Sequence, residues 1–92
     1  MNIDSTTTIV RSTKPVETTV GTEVVLMTLD SGECLGLGET GSDVWRLIEK
    51  PIQLGSLVDS LGDIYQAPAG VIQQDVIELL DDMQRRGLVE LT

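Results

Sequence analysis

The chain has 92 residues, 40% of them hydrophobic, and its only aromatics are Trp45 and Tyr65, which suits one domain with a modest aliphatic core. It has no His and a single Cys, Cys34, which excludes Ser-His and Cys-His pairs, an internal disulfide and metal sites built from Cys or His. Fifteen acidic residues against six basic ones leave a net charge of -9, which opposes nucleic acid and an anionic membrane surface as partners.

Residues 5–30 contain eight Thr and many Val without a helical period, whereas residues 39–87 carry helical periodicity. Strands first and helices second predict an α+β layout. The first strand is expected at Thr6 to Arg11. A second short piece follows at Lys14 to Val20, interrupted or placed at an edge by Pro15, which cannot donate to a ladder. Residues 23–29 and 33–37 form a hairpin around Asp30-Ser31-Gly32, whose residues suit a tight turn. Gly38 ends the hairpin, and a short helix opens with Thr40 or Ser42 as its cap and Val44, Leu47 and Ile48 at helical spacing. It stops before Pro51. A second helix covers about Leu54 to Tyr65, with Leu54, Leu57, Val58, Leu61 and Ile64 as its apolar positions. The third covers about Val71 to Arg86, with Ile72, Val76, Leu79, Leu80 and Met83 in one stripe. Gly87 suits the left-handed residue that closes a helix, and Leu88 to Leu91 reads as a closing strand or extended tail. The whole, residues 1–92, is expected to be a single domain with a flexible start at residues 1–5. No apolar run approaches the ~18 residues of a membrane span. Met1-Asn2-Ile3-Asp4-Ser5 lacks the basic start and apolar stretch of a signal peptide, so a cytoplasmic location is expected.

Two local features point to chemistry and yield to plainer readings. Cys34 has no basic neighbour in sequence to activate its thiol and reads as a small strand residue. Asp59-Ser60-Leu61 resembles the attachment motif of acyl carrier proteins, but Ser60 falls inside an amphipathic helix rather than at a helix start after a long loop. Two other features suggest binding. Asp75, Leu79, Asp82 and Arg86 recur at i, i+4, i+7 and i+11, a stripe beside the apolar one that can line a groove. The first arm of the hairpin is apolar on both faces, Val24 and Leu26 on one and Val25, Met27 and Leu29 on the other. One face can pack on the helices. The other needs a different cover: the N-terminal strand, a subunit or a ligand. The return arm is short and contains Gly36, as expected of an edge strand open to an added strand.

The run Gly32 to Ile48, with its Leu37-Gly38-Glu39-Thr40-Gly41 turn and Val44-Trp45-Arg46-Leu47-Ile48 helix, resembles the PqqD-like family of RiPP recognition elements. So do Asp75 to Leu80 and Arg86-Gly87-Leu88-Val89, and the resemblance spans roughly residues 20–91. Gly38 departs from the family, which often has Asn there. The resemblance implies a winged helix-turn-helix-like α+β fold, a three-stranded antiparallel sheet followed by three helices. It implies no catalysis, no cofactor and no metal. It implies binding of the leader of a ribosomally made precursor peptide, which adds as a strand beside the third strand and lies against the third helix. On this chain the peptide-binding residues are then Glu33, Cys34, Leu35, Gly36 and Leu37 with Asp75, Val76, Leu79, Asp82, Met83 and Arg86. The implied enzyme partners are a leader peptidase and, beyond it, a cyclase or a radical enzyme; the Val- and Thr-rich style is nearer the lasso-peptide branch. Two other classes stand beside this reading: an acyl carrier using Ser60, and a winged-helix DNA-binding regulator. The DNA reading is opposed by Asp75, Glu78, Asp81 and Asp82 on the helix that would enter the groove.

Overall fold

Two three-stranded antiparallel sheets and three helices make up residues 3–92, the part of the chain described by this computed structural model. In chain order the elements are β1 (Thr8–Arg11), β2 (Pro15–Val20), β3 (Glu23–Thr28), β4 (Cys34–Gly36), α1 (Gly38–Leu47), β5 (Ile52–Gln53), α2 (Leu54–Tyr65), α3 (Ala69–Arg85) and β6 (Val89–Leu91). One sheet has the order β2-β3-β4 and the other β5-β1-β6.

The N-terminal strand, the β3–β4 hairpin, α2 and the closing strand fall where the sequence puts them; the pairing of the N-terminal strand is what the sequence leaves open. β1 does not fold over the hairpin. It pairs with β6 through Ile9↔Leu91 and Arg11↔Val89, and with β5 through Ile9↔Ile52. Ile9 is fully buried there. The third strand of the hairpin sheet is instead supplied by β2, which pairs with β3 along its whole length from Pro15↔Thr28 to Val20↔Glu23. Pro15 is tolerated because it is the first residue of an edge strand. Residues 1 and 2 of the expected flexible start lie outside the described residues. Residues 3–5 are held: Ile3 packs on the core, and Gly55 N–H donates to Ser5 O at 3.0 Å.

The helix starts differ from the expected caps. Neither Thr40 nor Ser42 caps α1. Gly38, at φ 71, begins the helix, and its N–H donates to Glu23 Oε1 at 3.0 Å across from β3. Ser42 lies one turn inside, buried, and its Oγ accepts the Val24 N–H at 2.8 Å. The start of α2 is likewise satisfied by distant backbone: Leu54 N–H donates to Thr7 O at 2.9 Å and Gly55 N–H to Ser5 O. A Cβ on Gly55 would stand 3.3 Å from that carbonyl oxygen, so the close approach favours glycine. α3 starts two residues before the expected Val71: Val71 and Ile72 N–H both donate to Pro68 O, at 3.0 and 3.1 Å, which closes the first turn on Pro68. Its end matches expectation. Gly87, at φ 75, donates to Gln84 O and Leu88 to Met83 O, the paired bonds of a Schellman closure.

One core joins both sheets and all three helices. It includes Ile9 of β1, Val24 and Leu26 of β3, Trp45 of α1, Leu57 and Leu61 of α2, Leu80 and Met83 of α3, and Leu91 of β6. Beside it, Arg11 of β1 stacks 4.3 Å from the Trp45 ring centroid and its Nε donates to Trp45 O at 3.1 Å. The indole N–H donates to Glu17 Oε1 of β2 at 2.5 Å. The two sheets are thus tied through one tryptophan by a cation–π contact and charge-assisted hydrogen bonds. Among the described residues no helix is long and apolar enough to cross a membrane.

Candidate functional site

β4 ends its sheet, so one side of it has no partner among the described residues. Leu37 N–H donates to Val24 O at 3.0 Å and Thr28 N–H to Glu33 O at 3.0 Å. In an antiparallel ladder alternate residues turn both backbone groups toward the same neighbour. Glu33, Leu35 and Leu37 therefore address β3, whereas Cys34 and Gly36 turn N–H and C=O to the open side. The side chains divide in the same way. Leu35 and Leu37 are half-buried and pack on the core, and Cys34 is exposed on the other face.

The other expected site residues fall on α3 and at its end. Leu79 is half-buried against the same core as Leu35 and Leu37. Val76 and Met83 are 2% and 0% exposed, so they belong to the core rather than to an open wall. Asp75 is exposed and makes no ion pair or side-chain hydrogen bond among the described residues. Asp82 is engaged by its own helix: Arg86 Nε donates to its Oδ2 at 3.0 Å. Arg86 also reaches Glu33 at the start of β4, 3.8 Å away. Of the expected site residues, Glu33 and Arg86 are thus in direct ionic contact, while Asp75 stands on the far half of the helix. Ser60 lies half-buried in the middle of α2, not at a helix start.

Sequence reading missed one part of this region. A cleft of about 350 Å3 opens where the β3–β4 turn faces the end of α3, and Lys14, Leu29, Asp30 and Ser31 line it together with Glu33 and Arg86. Lys14 carries no local signal of such a role; only the separate paths of β1 and β2 bring their connection here. The second hairpin face is also left open. Register places Val16, Met27 and Cys34 in one row across the sheet, and Val16, Val20 and Met27 are all exposed. The N-terminal strand does not cover them. Among the described residues no group of three His, Cys, Asp or Glu side chains is arranged to hold a metal ion.

Residues 23–89 match the family model of PqqD, described as coenzyme PQQ synthesis protein D. The chain belongs to the PqqD family. The matched span runs from the first residue of β3 into β6, so it takes in the open strand and all of α3. A search of curated proteins gave no match. Among solved structures, one titled "TbiB1 in Complex with the TbiA(beta) Leader Peptide" superposes with a TM-score of 0.80 and 28% sequence identity. The superposition covers 88% of this chain and 94% of that one. The α+β fold of a PqqD-like RiPP recognition element is therefore shared over nearly the whole of both chains.

Proposed function

We propose that this PqqD family member is a non-catalytic binding protein that recognises the leader segment of a ribosomally made precursor peptide and presents it to a modifying enzyme. The observation that carries the reading is the free side of β4, where Cys34 and Gly36 offer backbone groups next to the half-buried Leu35 and Leu37. Main-chain bonds of this kind hold an extended peptide of almost any sequence, and the flanking apolar positions select side chains. The similar structure of TbiB1 with a leader peptide supports the same use of the fold. The absence of His and of an activated nucleophile supports a role without catalysis. The protein would act by raising the leader's local concentration at its enzyme, and a leader peptidase of the lasso-peptide kind is the partner we favour.

The test is a titration of isotope-labelled protein with synthetic leader segments from short precursor genes neighbouring its own. The Cys34 and Gly36 amides should shift and exchange more slowly with water, while the β2 amides stay unchanged. Asp75→Ala should weaken binding about tenfold, the size of one charge-assisted contact, with Glu78→Ala as the neutral control. Binding that leaves the two β4 amides untouched would overturn the placement. Cleavage of the precursor by the purified protein alone would overturn the non-catalytic role.

A further inference from the structure

We propose that the cleft at the β3–β4 turn is a carboxylate subsite, in which Arg86 and Lys14 together take an Asp or Glu side chain of the bound peptide. The inference rests on the leader-strand reading and adds to it a ligand chemistry and a direction.

The chain has six cationic side chains against fifteen acids. Three of the six are held elsewhere: Arg11 on Trp45 and Glu17, Arg46 on Asp43, and Arg85 on Asp81 at 2.8 Å. Arg86 and Lys14 come from different elements, the end of α3 and the β1–β2 connection, yet they line one cleft. Neither is fully used. Lys14 has no carboxylate within 4.0 Å among the described residues. Arg86 gives its Nε to Asp82 at 3.0 Å, but its Nη1 has only Glu33, at 3.8 Å, too long for a hydrogen bond. Glu33 and Asp30 line the same cleft from an exposed turn, so they serve as loose counter-ions while it is empty. A peptide carboxylate would replace Glu33 on Arg86 and gain Lys14 as a second partner. That exchanges one partly solvated ion pair for a better one and leaves no charge stranded. Leu29, 71% exposed on the rim, can cover the methylene stem of the incoming side chain.

Position then sets direction. Arg86 follows Asp75 by eleven residues on one helix, about 16 Å along its axis, which an extended strand covers in about five residues. Every ladder among the described residues is antiparallel. A peptide added in the same sense runs from beside Gly36 to beside Cys34 and on toward the cleft. It should therefore carry a basic or hydroxyl residue near Asp75 and an acid about five positions later. The overall charge of -9 attracts a peptide that is basic on balance, and this end of the groove is the local exception.

The experiment selects a fully randomised displayed peptide library on the native protein and, separately, on Lys14→Glu/Arg86→Glu. Melting curves and the amide spectra confirm that each variant is folded. Lys14→Gln/Arg86→Gln serves as a milder pair should charge reversal unfold the end of α3. Peptides enriched on the native protein should share an Asp or Glu at a constant distance from their apolar anchors. On the reversed protein that position should become Lys or Arg. A native-selected peptide should lose about tenfold or more in affinity on either double variant, and on the reversed protein it should recover when its acid is changed to Lys. Free glutamate and inorganic phosphate should compete only weakly, because the strand supplies most of the binding. No charge preference, with the Cys34 and Gly36 amides still shifted, would overturn the subsite alone. Enriched peptides that leave those amides unshifted would overturn the strand reading and the subsite with it.

Discussion

The Ser42 hydroxyl, one turn inside α1, accepts the buried N–H of Val24 at 2.8 Å and ties that helix to β3. Ser42→Ala should therefore act on the tertiary fold and not on helix content. It strands a buried donor, at a cost of about 1–3 kcal/mol, which should appear as a lower midpoint in denaturant with unchanged slope. Tyr65 makes a second link of this kind, donating its hydroxyl to Asp43 Oδ2 of α1. That bond to a carboxylate, with some burial, raises the phenol above its ordinary pKa of 10.0. Because the folded value lies above the unfolded one, the neutral phenol stabilises the fold below pH 10, and this contribution is lost as pH rises through the folded value. Stability measured from pH 9 upward should thus fall more in the native protein than in Tyr65→Phe. Parallel curves would show that the Asp43 bond has no energetic weight.

At the scale of the element, β4 can be probed one backbone group at a time. Cys34 N–H points to the open side, and proline at an edge position facing away from the ladder is tolerated. Cys34→Pro should keep the hairpin and lose one bond to an added peptide, about 0.5–1.5 kcal/mol or two- to tenfold in affinity. Leu35 N–H points to β3, opposite Leu26, so Leu35→Pro should damage the hairpin itself. Circular dichroism with binding by calorimetry separates the two outcomes, and equal effects from both variants would contradict the assigned backbone directions. The existence of this strand was readable from the turn residues Asp30-Ser31-Gly32. Its free edge was suggested by its shortness and by Gly36. α3 was readable for a different reason: its stripe of Ile72, Val76, Leu80 and Met83 is buried as the period requires. The same period could not separate groove from core, and Val76 and Met83, expected at the peptide, lie in the interior.

Across the whole molecule, the two sheets share one core, so they should unfold together. Trp45 is 2% exposed at their junction, and its fluorescence should report the same midpoint as circular dichroism. Two separated midpoints would mean that the sheets are independent units. Leu80, fully buried at the centre of that core, is expected to cost about 2–5 kcal/mol on truncation to Ala. That is a large share of the roughly 5–14 kcal/mol typical of a chain this long, so Leu80→Ala should melt at least several degrees lower.

What the chain determined by itself is local. Period 3.6 marked three helices, turn residues marked the hairpin, and Gly87 marked the end of α3, because each depends on neighbours a few residues away. The absence of His and the excess of acids removed whole classes of chemistry before any fold was considered. Tertiary structure decided the rest. It sent β1 to pair with β5 and β6, since the pairing of a short Thr- and Val-rich strand is chosen by where its buried Ile9 can pack and not by its own pattern. It capped α1 with Glu23 and α2 with the carbonyls of Ser5 and Thr7. It also brought Lys14 beside Arg86, residues seventy-two positions apart in the chain, because a cleft is formed by elements that meet only after folding.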